Sequence, residues 1–272
     1  MKIGFIGTGS MGSILIESLI RSGALLPQHI VASNRTANKA EQLAYRYPGL
    51  QAASSNVEVA EQCGIMFICV KPSEFKKVID DIKPRTSASQ IVISITSPVL
   101  IRHLEEQLPC KIAKVIPSIT NYVECGPTIC MYGERLTNDD IEHIETMLAR
   151  FSRPIRVSEK YTRVTSDISS CGPAFFANLL QSFIAAAVKE TGIPYEQAAF
   201  LACEMLLGTG KLLTAGGFTP ESLQQRVAVP GGITAEGLKL MNDELRDVFN
   251  QLFRITQAKY EEDVDKASSM LS

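Results

Sequence analysis

The stretch Lys2–Ile6 followed by Gly7-Thr8-Gly9-Ser10-Met11-Gly12 constrains this chain more than any other feature. The glycines come directly after a short β-rich run, KIGFI, and open a helical pattern, SMGSILIESLIRSG. A Gly-x-Gly-x-x-Gly alone says little. Between a strand and a helix, at the head of a βαβ unit, it reads as a turn that grips phosphate. Gly7 allows the tight turn, Gly9 lets backbone approach a pyrophosphate, and Gly12 lets the helix pack closely on the strand. Free N–H groups at the helix start then face the phosphate charge, with Thr8, Ser10 and Met11 completing the loop.

The rest of the first half fits that unit. Short β-rich runs at Lys2–Ile6, Ile30–Ser33, Ile65–Val70, Ile91–Ile95 and Ile112–Ile116 alternate with amphipathic helical stretches, the pattern of a parallel sheet. Further β-like runs follow at Thr128–Tyr132 and Ile155–Val157, with a helical stretch near Asp139–Phe151. From about Tyr161 the strand signals stop. Helices are predicted at Pro173–Thr191, Tyr195–Ala215, Glu221–Val227 and Ala235–Ser268. The expected class is α/β: a Rossmann doubly wound parallel sheet over 1–158, then an all-helical domain over 159–272. The run FFANLLQSFIAAAV, Phe175–Val188, is apolar nearly all round, so such a helix is expected to be buried on every side. A large monomeric core or a helix-mediated dimer would bury it, and the length of the helical half favours the dimer.

Charge and composition remove other classes. With 27 Lys+Arg against 29 Asp+Glu the net charge is −2, without the basic excess of a nucleic-acid binder. No uninterrupted apolar run reaches the ~18–20 residues that span a bilayer, and the glycine-rich N-terminus does not resemble a signal-peptide core. The expectation is a cytoplasmic protein with no membrane and no nucleic-acid partner. Seven cysteines without a paired framework read as buried thiols, and three isolated histidines give no metal site.

Cofactor choice is written at the end of the second strand. A fold that prefers NAD usually places an acid roughly 20 residues after the glycine turn, to hold the ribose 2′-hydroxyl. Here Asn34-Arg35-Thr36 stands instead. Arg35 favours a 2′-phosphate by charge, and Asn34 and Thr36 can hydrogen-bond to it, so NADP(H) is predicted over NAD(H). Val70-Lys71-Pro72 ends the strand IMFICV, and Ile95-Thr96-Ser97 ends the next one. Ligands bind at the carboxyl ends of strands in such sheets, so both turns are candidates to line the nicotinamide and its ribose. Lys71 reads equally well as a solvated loop charge.

Together GFIGTGSMG, SNRT, Asn56, the VKP turn, IPSIT, SSCGPAFF and VPGGIT resemble the pyrroline-5-carboxylate reductase family, over nearly the whole chain. The resemblance implies NADPH-dependent reduction of the C=N bond of 1-pyrroline-5-carboxylate to proline. It also implies a homodimer or higher oligomer interlocked through the helical domain, with the cyclic imino acid held between the domains across the dimer. It adds Asn56 to the cofactor residues. On the substrate side it points to Gly231, Gly232, Ile233 and Thr234, with Thr234 as the catalytic candidate, and to Glu159 as a further candidate for the imine nitrogen. The residues agree: Pro230-Gly231-Gly232-Ile233-Thr234 precedes a helical run whose N–H groups suit a carboxylate. Thr234 also fits an N-cap, a role compatible with substrate contact.

Several family motifs are altered. MPNTP appears as Ile116-Pro117-Ser118-Ile119-Thr120, SGSGPAY as Ser169-Ser170-Cys171-Gly172-Pro173-Ala174-Phe175, and SPGGTT as Val229-Pro230-Gly231-Gly232-Ile233-Thr234; Gln181 replaces a common Glu. Cys171 is read as a small packing residue, Phe175 and Phe176 as core or dimer contacts. The alternative is a diverged, non-catalytic NADPH-binding regulatory protein of the same fold. A β-hydroxyacid dehydrogenase would need a Lys four residues before Asn178, where Ala174 stands.

Overall fold

Short strings of Ile, Val and Phe favour extended backbone and suit burial on both faces of a sheet. In the computed structural model, which describes residues 1–271, they form β1 (Ile3–Ile6), β2 (Ile30–Ser33), β3 (Gln51–Ala52), β4 (Ile65–Ile68), β5 (Ile91–Ser94), β6 (Lys111–Ile116), β7 (Pro127–Tyr132) and β8 (Arg153–Arg156). Between them run α1 (Ser10–Arg21), α2 (Ala37–Arg46), α3 (Asn56–Gln62), α4 (Phe75–Ile82), α5 (Ile101–Gln107) and α6 (Asn138–Leu148). The strands make one sheet in the order β3-β2-β1-β4-β5-β6-β7-β8. Every pairing is parallel except β6 with β7. The order reverses beside β1, the switch point at which such sheets bind dinucleotides.

Residues alternate between two cores, one on each face of the sheet. Ile6, Val31, Met66, Ile68, Val92 and Ile112 line one, and Phe5, Ala32, Ile65, Phe67, Ile93 and Val115 the other. Phe5 and Phe67, register partners on β1 and β4, stack with centroids 4.9 Å apart. The expected doubly wound sheet is present. Two features were not visible in the periodicity: β3 is only two residues long, and β7 turns back through the tight turn Ile119–Val123, after which Glu124 adopts φ 54°.

The remaining helices are α7 (Thr162–Ser166), α8 (Gly172–Thr191), α9 (Tyr195–Thr214), α10 (Pro220–Val227), α11 (Ile233–Leu245) and α12 (Val248–Leu271). The stretch predicted as one helix, Ala235–Ser268, is two, interrupted near Arg246 with neither Gly nor Pro to announce the break. The compact units also divide elsewhere than at the expected 158/159 boundary. The first comprises Met1–Pro173 together with the chain from Thr256 onward, and the second Ala174–Ile255. Hydrogen bonds explain why. Ser118 Oγ donates to the Ser169 carbonyl at 2.8 Å and Ser170 Oγ to that of Pro117 at 2.8 Å. From α12, Thr256 Oγ1 donates to Asp167 at 2.7 Å, and the Leu271 carbonyl accepts from Gln107 at 2.9 Å. Ala267 and Leu271 are buried in the first of the two sheet cores.

In the second unit, Ile184, Ala198 and Ala202 make a small core backed by Leu180, Val188 and Ile193. Large apolar side chains lie outside it: Phe176 is 57% exposed, Phe183 64% and Phe200 66%. The Phe175–Val188 helix is therefore not buried on every side within one protomer, and its exposed face is far more than scattered surface apolarity. The continuous helical stretch 159–191, which passes through a π turn at Asp167–Cys171, holds an 18-residue window of mean hydropathy 1.5 and is by length and composition alone long and apolar enough to cross a membrane. The thiols divide as well: Cys63, Cys110 and Cys130 are buried, whereas Cys125 and Cys203 are exposed.

At the sheet edge, Glu145 of α6 accepts two bonds from Arg156 of β8, at 2.6 and 2.8 Å, and one from Tyr132 of β7 at 3.0 Å. The Arg156 guanidinium holds its carboxyl below the usual Glu value, against a smaller opposing effect of burial. Its stabilisation is therefore fully present above the unfolded value of ~4.3 and is lost as pH falls through the lower folded value. Glu145→Gln should cost about 0.5–1 kcal/mol near neutrality, a typical worth for a well-formed but solvated pair. The gap in urea midpoint between wild type and variant should close as pH is lowered toward 3; a gap independent of pH would contradict this.

Candidate functional site

Four strand ends meet at the carboxyl edge of the sheet, and backbone bonds continue the ladder into their loops. Gly7 N–H donates to the Ser33 carbonyl at 2.9 Å, Cys69 N–H to Ile6 at 2.8 Å, and Ile95 N–H to Ile68 at 3.3 Å. The predicted turns after β1, β2, β4 and β5 therefore stand side by side.

The three glycines of the first turn have different surroundings. Gly7 has φ +99°, where L side chains are strained, and a Cβ there would lie 2.5 Å from the Cys69 carbonyl oxygen. A Cβ on Gly12 would lie 2.1 Å from the Gly7 carbonyl oxygen. Protein atoms account for both. A Cβ on Gly9 would meet nothing within 4 Å. Gly9 is also the N-cap of α1 and supplies no capping side chain, so the first-turn N–H groups at Ser10 and Met11 lack a side-chain acceptor. Beside them Thr8 is only 3% exposed, yet its hydroxyl has no hydrogen-bond partner among the described residues. An open glycine, uncapped N–H groups and an orphaned hydroxyl fit a bound pyrophosphate.

Asn34 ties the second turn to the first. Its Oδ1 accepts from Thr8 N–H at 3.0 Å and its Nδ2 donates to the Thr36 carbonyl at 3.0 Å. Thr36 caps α2 by position without a side-chain bond, and its hydroxyl is exposed. Arg35 projects beside them with its side chain 76% exposed, and Nη1 lies 2.8 Å from Glu74 Oε1. Asn56, at the start of α3, accepts from Ser33 Oγ at 2.8 Å and donates to Asp81 at 2.9 Å, bracing the end of β2.

In the third turn, the Val70 carbonyl accepts from Thr96 Oγ1 at 2.9 Å, joining it to the fourth. Lys71 is exposed, and Pro72 starts a short 3-10 turn. Ile95 and Ser97 are half-buried, and the Ser97 hydroxyl is a second orphan.

Sequence reasoning missed the group beneath this turn. Lys114 on β6 has a fully buried side chain, and its Nζ donates to the Ser97 carbonyl at 3.0 Å and pairs with Glu159 at 2.6 Å. The same carboxylate accepts from Ile101 N–H, at the start of α5, at 3.0 Å. Burial pulls the Lys114 ammonium below its ordinary value, and the Glu159 carboxylate opposes that shift. Glu159 is thus committed to a buried cation and a helix start. The available signal was the lysine inside the otherwise apolar run IAKVI.

The remaining candidates lie in the second unit. Gly231 has φ +72°. Gly232, not Thr234, is the N-cap of α11, and no side chain caps that helix. Thr234 sits in the first turn, with Ile233 and Thr234 both exposed in the protomer. The expected N-cap role of Thr234 is therefore replaced: its hydroxyl is not spent on capping.

A doubly wound sheet with a phosphate-ready glycine turn at its switch point, joined to a helical unit, defines a Rossmann-type NADP(H)-binding oxidoreductase fold. The family model described as NADP oxidoreductase coenzyme F420-dependent matches residues 2–98, and that for pyrroline-5-carboxylate reductase dimerisation matches 159–263. The chain is 42% identical to ComE operon protein 4 of Bacillus subtilis, over 97% of both chains, and 30% identical to pyrroline-5-carboxylate reductase 3 of the same organism, over 96% of both. It belongs to the pyrroline-5-carboxylate reductase family. The NADP-bound pyrroline carboxylate reductase of Plasmodium falciparum superposes with a TM-score of 0.82 at 26% identity, covering 100% of this chain and 98% of that one.

Two substitutions separate a ligand role from a folding role in the glycine turn. Gly9→Ala has space, so its stability cost should stay below about 1 kcal/mol, while NADPH binding weakens at least tenfold. Gly12→Ala should lose stability as well, because backbone must move. Calorimetry of both variants with NADPH titration checks this; undiminished NADPH affinity in Gly9→Ala would remove the pyrophosphate from that turn.

Proposed function

We propose that this protein reduces the C=N bond of 1-pyrroline-5-carboxylate to give proline, with NADPH as the reductant. The observation that carries the reading is full-length similarity to a pyrroline-5-carboxylate reductase in a chain whose glycine turn keeps Gly9 open. When bound, reduced nicotinamide supplies the hydride; the organic chemistry belongs to the cofactor, and the protein contributes binding and orientation.

The residues divide that work. N–H groups of Gly9, Ser10 and Met11 hold the pyrophosphate, where the start of α1 favours negative charge. Arg35, flanked by Asn34 and Thr36, takes the 2′-phosphate, and Asn56 keeps the end of β2 in place for it. Val70–Pro72 and Ile95–Ser97 line the nicotinamide side. On the substrate side, the uncapped N–H groups of α11 and the bend Gly231-Gly232 hold the carboxylate. Thr234 offers its hydroxyl to the iminium N–H or to that carboxylate. Glu159 is not kept among the substrate groups, because its carboxylate balances Lys114. A protonated imine already accepts hydride well, so no strong general base is needed; holding the two carbons in contact supplies much of the rate. A homo-oligomer built through the helical unit is part of the proposal and would cover Phe176, Phe183 and Phe200.

A second reading rests on a specific observation. Identity is higher to ComE operon protein 4, whose name carries no reductase activity, and the family's Asn in MPNTP is here Ser118, a buried residue bonded to Ser169. In that reading the protein binds NADPH and serves a regulatory role without turnover.

One experiment decides between them: NADPH oxidation with 1-pyrroline-5-carboxylate, beside direct NADPH binding. Turnover is expected, and Thr234→Ala should lower kcat/KM by about tenfold or more, the scale of one lost polar contact in a transition state, with NADPH Kd unchanged. Tight NADPH binding with no turnover on any cyclic imine would favour the regulatory reading. Equal loss of turnover and NADPH binding in Thr234→Ala would make Thr234 a structural residue.

A further inference from the structure

The contact between Arg35 and Glu74 carries an inference that rests on the reading above, in which Arg35 receives the 2′-phosphate. Glu74 is not a drifting surface acid. It ends the 3-10 turn Pro72–Glu74, its N–H donates to the Lys71 carbonyl at 2.9 Å, and the next residue, Phe75, is fully buried in the sheet core. Proline on one side and a buried ring on the other therefore fix the backbone that carries its carboxylate. Glu74 also occupies the N-cap position of α4 but makes no capping bond with its side chain. Its carboxylate accepts from Arg35 Nη1 at 2.8 Å.

The charges decide what this contact does. A guanidinium chooses a phosphorylated ribose over an unphosphorylated one because it is cationic and can meet the phosphate oxygens with two donors. A carboxylate at 2.8 Å neutralises that cation and occupies one of its donors. The arriving 2′-phosphate must either displace Glu74 or sit beside it and be repelled. NADH has no such phosphate and does not compete for the guanidinium. We propose that Glu74 is a specificity-determining residue: it holds Arg35 when no 2′-phosphate is present, competes with the phosphate for the guanidinium, and so lowers the preference for NADPH over NADH.

Glu74→Gln keeps the shape and removes the charge of a half-buried side chain that caps no helix; a melting curve checks that the fold is kept. The test is direct binding of NADPH and of NADH, by fluorescence titration, to wild type, Glu74→Gln, Arg35→Ala and the double variant, at low and at physiological salt. Glu74→Gln should tighten NADPH about fivefold, the upper range for one solvated ion pair, leave NADH within error, and gain less at higher salt. The gain should vanish on the Arg35→Ala background, where the shared partner is gone. Unchanged or weaker NADPH binding in Glu74→Gln would overturn the proposal while the cofactor reading stands; weaker binding would make Glu74 an orienting partner of Arg35. If Arg35→Ala leaves NADPH affinity unchanged, or wild type binds neither nucleotide, the cofactor reading falls and this inference falls with it.

Discussion

The site depends on one close approach of backbone to backbone. The Gly7 carbonyl oxygen lies where a side chain on residue 12 would have to begin, and the Cys69 carbonyl fills the space beside Gly7. Those contacts press the start of α1 against the ends of β1 and β4. Because the two outer glycines are consumed by packing, the middle one is left with open space, and the helix N-terminus points its N–H groups outward beside it. The close packing of interiors makes this all-or-none, since no methyl group fits where 2.1 Å is available.

A second constraint organises the neighbouring turns. Lys114 is the one Lys or Arg buried among the described residues. An unpaired ammonium there would cost several kcal/mol, so it must be matched. Glu159 supplies the charge and Ser97 the carbonyl, and the same carboxylate takes the first N–H of α5. One buried cation thereby fixes the fourth turn and the point where the chain leaves the sheet for the helices. Thr96 then carries that order to Val70. Asn34 does the corresponding job between the second turn and the first.

Much of this was legible in the sequence, for identifiable reasons. Strands buried on both faces are written as uninterrupted Ile, Val and Phe, and a glycine turn between strand and helix has few physical solutions. In Asn34-Arg35-Thr36 the sequence shows a cation and no acid at the end of β2. What escaped depends on contacts distant in the chain. Glu159 lies between the halves in sequence, and nothing local reveals that Lys114 claims its carboxylate. The return of α12 to the sheet core through Ala267 and Leu271 leaves no mark in helical periodicity. The start of α11 at Ile233 differs from the expected N-cap by two residues, a shift that changes Thr234 from a cap to a free hydroxyl. The apolar helix Phe175–Val188 was readable as needing cover, but the sequence could not say that one protomer does not provide it.

The most direct test is a crystal structure of the protein grown with NADPH. The account predicts the pyrophosphate on the N–H groups of Gly9, Ser10 and Met11, the Thr8 hydroxyl engaged, and the 2′-phosphate against Arg35. A dinucleotide held anywhere else on the chain, or phosphate oxygens that make no contact with the β1–α1 turn, would contradict it.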